Sequence, residues 1–192
     1  MESNDEILAP GIVLFKYGNL PIFKNITSAA LSYKDAAPAK TFYQGAAQGR
    51  MHEEVRKVNT CRLIDLKNGK SLDSEFNKVI SDAIKKNRKY FPNPIAMDAG
   101  YEVLKYEVNG IYSWHNDQCT DNNRIATMMA YCNNDFTGGK FEFAHFNISI
   151  KPEAGDIVIF CAHYPYAHRC TKVTSGNRIA LKSQLLAGAP EA

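Results

Sequence analysis

The chain has 192 residues, 45% of them hydrophobic and 22% charged, which suits one domain with a substantial core. Twenty-three Lys and Arg against twenty Asp and Glu leave a net charge of +3, too small to point to nucleic acid or a membrane surface. The acidic start at Met1–Glu6 lacks signal-peptide character, and no apolar run approaches a membrane span. Five cysteines (Cys61, Cys119, Cys132, Cys161 and Cys170) form no CxxC pair, which argues against a zinc ribbon or redox motif. The expectation is a cytoplasmic, globular protein with free thiols and neither a nucleic-acid nor a membrane partner.

In chain order, Gly11–Tyr17 reads as a strand between Pro10 and Gly18-Asn19. Asp35–Arg50 turns to Ala, Pro, Gly and Gln around Phe42 and Tyr43, the composition of a solvated loop or of a lid over a site. Ser71–Tyr90 carries Leu72, Phe76, Val79, Ile80, Ala83 and Ile84 at the helical period, with Ser71 as N-cap and Pro92 forbidding continuation. Its charges form a solvated face. Short strands follow near 101–108, 111–116, 124–132, 140–150, 156–161, 167–173 and 178–186, broken at Asn109-Gly110, Asp121–Asn123, Gly138-Gly139, Pro152–Gly155 and Ser175–Asn177. This spacing predicts a mainly β sandwich or jelly roll with a flanking helix, not a parallel sheet with crossover helices. Residues 1–192 read as a single domain, with 1–98 as helix and strand support and 99–187 as the β core.

Against that background, Trp114-His115-Asn116-Asp117 stands out. Residues i and i+2 of a strand share a face, so His115 and Asp117 would present an imidazole and a carboxylate side by side. With one histidine from a distant strand they would make the 2-His-1-carboxylate triad of non-haem Fe(II) oxygenases, which leaves metal positions open for a co-substrate and dioxygen. The third ligand must come from His52, His145, His163 or His168. His168 gains support from Arg178 beyond the Thr174–Asn177 turn. One hairpin would set the two roughly 13–20 Å apart, and for both to face the same interior its loop must hold an odd number of residues or a bulge must intervene. That gap fits an imidazole, a five-carbon dicarboxylate and a guanidinium end to end, and the planar fork of arginine suits a carboxylate terminus.

At Tyr106–Leu181 the sequence resembles the Fe(II)/2-oxoglutarate-dependent dioxygenases of the prolyl 4-hydroxylase type. The motifs that carry the resemblance run in order: YxxxGxYxxHxD (Tyr106–Asp117), Arg124, YCNNDFTGGKFEF (Tyr131–Phe143), PxxGD (Pro152–Asp156), Phe160, His168 and VTSGNR (Val173–Arg178). The resemblance implies a double-stranded β-helix of the jelly-roll, cupin-like kind. It implies His115, Asp117 and His168 as iron ligands and Arg178 as partner of the distal 2-oxoglutarate carboxylate. Tyr131 would share that carboxylate, and Tyr106 would line the same pocket.

The implied activity is hydroxylation of an unactivated C–H bond, with 2-oxoglutarate and O2 consumed, succinate and CO2 released, and ascorbate as a helper. A prolyl residue in a peptide or protein is the expected target, with another side chain or a small molecule as alternatives. A non-catalytic jelly-roll binding module is the rival of a different class, since fold alone says nothing of activity. Such a module would be expected to lose a triad member or the arginine, and all four are present. Tyr112, Trp114 and the 35–50 segment are expected to edge an aromatic groove for an extended chain. Two features depart from the family pattern. The longer Gly155–His168 segment keeps His163 alive as a ligand, and Lys182 shares a strand face with Arg178. An amine inside such a barrel must meet an acid or the substrate, so a bulge turning Lys182 to solvent is the simpler expectation.

Overall fold

The computed structural model describes residues 5–40, 54–118 and 123–188. The chain begins with the antiparallel pair β1 (Glu6–Ala9) and β2 (Ile12–Lys16), followed by α1 (Pro21–Ser32). β3 (Ala37–Pro38), β4 (Arg56–Lys57) and β5 (Asn59–Arg62) precede a 3-10 turn at Leu63–Asp65 and α2 (Gly69–Tyr90). Eleven strands follow among the described residues: β6 (Ile95–Asp98), β7 (Glu102–Tyr106), β8 (Ile111–His115), β9 (Arg124–Tyr131), β10 (Thr137–Gly138), β11 (Phe141–Phe143), β12 (Ile148–Ile150), β13 (Asp156–Cys161), β14 (His168–Cys170), β15 (Val173–Ser175) and β16 (Arg178–Ala187).

A large sheet runs in the order β1-β2-β13-β9-β16-β7-β5-β3, with β6 pairing the far half of β16. A smaller sheet runs β12-β11-β14-β8-β4, and β10 pairs β15 between them. From β7 to β16 the chain passes repeatedly between the sheets, except at the hairpin of β11 and β12, which are neighbours in the small one.

The large sheet has two differently filled faces, and period-2 alternation sorts them strand by strand. Val13, Phe15, Val103, Met128, Ala130, Ile157, Ile159, Ile179, Leu181 and Leu185 point to the helices and bury against Phe23, Ile26, Phe76 and Ile80. Their neighbours Ile12, Leu14, Leu104, Met129, Val158, Phe160 and Ala180 point inward to the small sheet and meet Phe141, Phe143 and Ile150. Phe76 sits edge-on to both Phe23 and Tyr101, with centroids 6.2 and 4.9 Å away. Each fully buried side chain of this kind contributes about 1.5–3 kcal/mol.

Several expectations need correction. α2 starts two residues before Ser71: Asn68, at φ 60°, is its N-cap, and its carbonyl accepts from the Ser71 and Leu72 amides. Gly69 is required there, because a Cβ would lie 2.3 Å from the Ile64 carbonyl oxygen. The strand expected over 140–150 is the antiparallel pair β11 and β12, turned at Asn147, whose φ is 52°. α1 was not anticipated. Ile22, Phe23, Ile26 and Ala30 do lie on one helical face after Pro21, but its N-cap, Leu20, makes no side-chain cap bond, so the usual start signal is missing. Of the supposed loop or lid at 35–50, residues 37–38 pair with β5, and 41–50 lie outside the described residues.

The largest correction concerns His168 and Arg178. They do not share a hairpin. β14 pairs with β8 and β11 in the small sheet, whereas β16 pairs with β7 and β9 in the large one. The turn after β15 carries the chain across the interior, so the two side chains approach a common cavity from opposite walls and loop parity plays no part.

Candidate functional site

His115 and His168 are directly opposed across the β8–β14 ladder, and Asp117 follows two residues after His115. One ligand atom from each of these three residues lies within 4.8 Å of the others. Nε2 of His115 is 3.9 Å from Asp117 Oδ1, and Nε2 of His168 is 3.7 Å from Oδ2. Nδ1 of His115 is 2.8 Å from the Ser113 carbonyl and Nδ1 of His168 is 3.0 Å from that of Tyr166. A carbonyl only accepts, so both protons sit on Nδ1 and both Nε2 lone pairs point at the carboxylate. This donor set fits a divalent metal of the Fe(II) type.

Electrostatics favour neutral imidazoles and an ionised carboxylate, the states that a metal would require of these residues. Burial, reinforced by His168, holds the His115 imidazole well below its ordinary range, and burial likewise lowers His168. Burial alone would raise the Asp117 carboxyl. Lys182, the two imidazoles and the Thr127 hydroxyl outweigh it and hold the group far below its usual value. Thr127 donates to Oδ2 at 2.7 Å and Lys182 to Oδ1 at 3.1 Å, while the Arg124 guanidinium donates to the Asp117 backbone carbonyl.

A bulge in β8 adds a residue to this wall. His168 pairs with His115 but Cys170 pairs with Tyr112, so between these pairs two residues of β8, Ser113 and Trp114, oppose the single Arg169 of β14. Tyr112 therefore turns inward and stacks on the His115 ring, with centroids 3.5 Å apart. Trp114 turns outward, under the Arg169 guanidinium, and the two aromatics do not edge one groove as expected.

The opposite wall belongs to β16. Arg178 is fully buried, and none of its three guanidinium nitrogens has a hydrogen-bond partner among the described residues. The guanidinium lies between the rings of Tyr106 and Tyr131, at 4.8 and 5.0 Å, and the Tyr131 hydroxyl makes no hydrogen bond of normal geometry among the described residues. A buried, unsatisfied charge is costly, so such an arrangement persists where an anionic ligand completes it. His115, Asp117, His168, Tyr106, Arg178 and Lys182 all line one cavity.

Reading the sequence missed the supports of this wall. The buried amide of Asn133 accepts from the Ile179 amide at 2.8 Å and donates to the Asn177 carbonyl at 2.6 Å, which fixes where β16 begins. Gly139, at φ 58°, covers Arg178; a Cβ there would sit 3.0 Å from Arg178 Cδ. Both residues lie inside the quoted YCNNDFTGG run, though nothing in their types announced a contact with the start of β16. Thr127 was legible only as a polar residue in an apolar strand.

The remaining candidates fall elsewhere. His163 is exposed, with its Nε2 3.1 Å from the Arg124 carbonyl, and His145 meets Tyr164 edge-on at the surface. Neither belongs to the three-residue cluster, and His52 lies outside the described residues. Lys182 does not bulge to solvent: its side chain is 15% exposed and meets Asp117.

Residues 101–183 match the family model of the 2OG-Fe(II) oxygenase superfamily. A curated relative from Acanthamoeba polyphaga mimivirus, provisionally named a prolyl 4-hydroxylase, is 28% identical over 111 residues. That match covers 52% of this chain and 45% of the relative, so it spans less than half of the relative's length. Among solved structures, a prolyl hydroxylase in complex with a hypoxia inducible factor oxygen degradation domain peptide fragment, from Trichoplax adhaerens, superposes with a TM-score of 0.78. It is 13% identical, over 92% of this chain and 84% of that one. A Pseudomonas putida prolyl-4-hydroxylase gives a TM-score of 0.71 at 12% identity, over 93% and 94% of the two chains. The fold is thus the double-stranded β-helix of these enzymes. Over residues 101–183 the chain is similar to the 2-oxoglutarate-dependent dioxygenases, as its motifs led us to expect.

Proposed function

We propose that the protein is an Fe(II)- and 2-oxoglutarate-dependent hydroxylase acting on a prolyl residue of a peptide or protein. One observation carries the reading: a metal-ligand triad and a fully buried, unpartnered arginine line the same cavity from opposite walls. His115 and His168 would hold Fe(II) through Nε2 and Asp117 through its carboxylate. Arg178 and the Tyr131 hydroxyl would receive the distal carboxylate of 2-oxoglutarate, and Tyr106 would wall that end. When bound, iron, 2-oxoglutarate and O2 supply the oxidising power for C–H hydroxylation, with release of succinate and CO2. The chain's own task is to fix ligand orientation through the Ser113 and Tyr166 carbonyls and to keep the inner wall dry with Leu104, Met129 and Phe141. Ascorbate would keep the iron reduced.

The prolyl target rests on the motif order and on the relatives named above. Proline-containing peptides, incubated with enzyme, Fe(II), 2-oxoglutarate and ascorbate, should stimulate succinate formation and gain about 16 Da on proline, one oxygen atom. Oxygen on another side chain alone, or on a small metabolite alone, would refute the prolyl assignment. Absence of any 2-oxoglutarate turnover across a wide substrate panel would refute the oxygenase.

A further inference from the structure

Alternation along β16 places Arg178, Ala180 and Lys182 on the inner face of the large sheet. Three of the cavity's lining side chains are cationic (Arg56, Arg178 and Lys182), and one, Asp117, is a carboxylate. Of the three cations, Lys182 is the one that pairs with the carboxylate. Its ammonium is committed to Asp117 Oδ1 at 3.1 Å, while the Thr127 hydroxyl takes Oδ2 at 2.7 Å. The carboxylate is held from both sides before any metal arrives.

We propose that Lys182 is a positioning residue that acts through Asp117 and sets how tightly the site holds its metal; this rests on the metal-site reading given above. Lys182 has two opposed effects. In the metal-free protein it is the countercharge that makes burying Asp117 tolerable, because an ionised carboxylate costs a great deal to bury unpaired. Once a divalent cation binds the same carboxylate, a second positive charge stands one functional group away. Like charges repel strongly in a cavity that excludes water. Lys182 thus stabilises the empty fold and weakens cation affinity, and linkage requires the two effects to appear together.

Mn(II), a redox-stable stand-in for Fe(II), titrated by calorimetry into metal-free wild type, K182M, K182Q and K182R tests this, with melting temperatures taken before and after addition. K182Q removes the charge and retains a donor for Oδ1, whereas K182R retains the charge. Both neutral variants should bind Mn(II) roughly tenfold tighter or better, melt lower without metal and gain more on adding it, with K182R near wild type. A neutral variant that folds only when Mn(II) is supplied is the same result in its extreme form. Neutral variants that bind Mn(II) no more tightly than wild type, that stay unfolded with Mn(II), or that K182R resembles, would overturn the proposal. If wild type itself takes up no Mn(II), the metal-site reading fails instead.

Discussion

The two faces of the large sheet share the same strands and differ in almost everything else. Toward α1 and α2, β16 presents Ile179, Leu181 and Leu185, all fully buried among other apolar side chains. Toward the small sheet the same strand presents Arg178 and Lys182, β9 presents Thr127 and Tyr131, and polar atoms are left without partners. One face is satisfied by packing alone. The other leaves buried polar atoms without hydrogen-bond partners among the described residues. A backbone whose side chains alternate can thus carry stability on one side and chemistry on the other, within one residue of each other.

Substitutions should separate these roles. The largest effect falls on the inner face: His168→Ala should abolish Mn(II) or Fe(II) binding in a calorimetric titration and remove turnover. His163→Ala, at an exposed site bonded to a backbone carbonyl, should bind metal as wild type does. On the helix face, Phe76→Ala should cost about 3–5 kcal/mol in denaturant unfolding, since it opens a cavity between Phe23 and Tyr101. Thr127→Val keeps the shape of the side chain but deletes the bond to Asp117 Oδ2. It should cost about 1 kcal/mol of stability and weaken metal binding measurably.

The smallest effect lies outside both faces. Asp82 joins Tyr17 at 2.7 Å and Lys86 at 2.8 Å on the solvent side of α2. Burial tends to raise its carboxyl, but the Lys86 and Tyr17 contacts prevail and lower it below the ordinary 3.8. A lowered carboxyl contributes stability that is present above the ordinary value and lost as the pH falls below it. Asp82→Asn should therefore cost less than about 1 kcal/mol at neutral pH, less still in high salt, and nothing in strong acid.

What could be read in the sequence follows the same division. Strand positions, the α2 period and the triad pair His115–Asp117 were legible because period and spacing are local properties. Arg178 was legible as a guanidinium directed at the same interior as His168, but the hairpin offered to place it was wrong. Which sheet β14 and β16 join is decided by long-range pairing, and no local pattern records it. The inward turn of Tyr112 was hidden for a related reason, since a bulge exists only relative to a partner strand. The Lys182–Asp117 contact joins residues 65 apart and depends on both sheets being in place. α1 escaped because its apolar period comes without a side-chain cap.

The central claim is that Arg178 is buried for a ligand and Leu181, three residues away, for the fold. Binding of 2-oxoglutarate to Mn(II)-loaded protein, measured by calorimetry on wild type, Arg178→Met and Leu181→Ala, tests it most directly. Leu181→Ala should lose about 2–5 kcal/mol of stability yet bind 2-oxoglutarate as wild type does. Arg178→Met should keep or gain stability, because a buried unpartnered charge is removed, and should lose 2-oxoglutarate affinity by roughly tenfold or more, tenfold being 1.4 kcal/mol. Wild-type affinity in Arg178→Met would contradict the account.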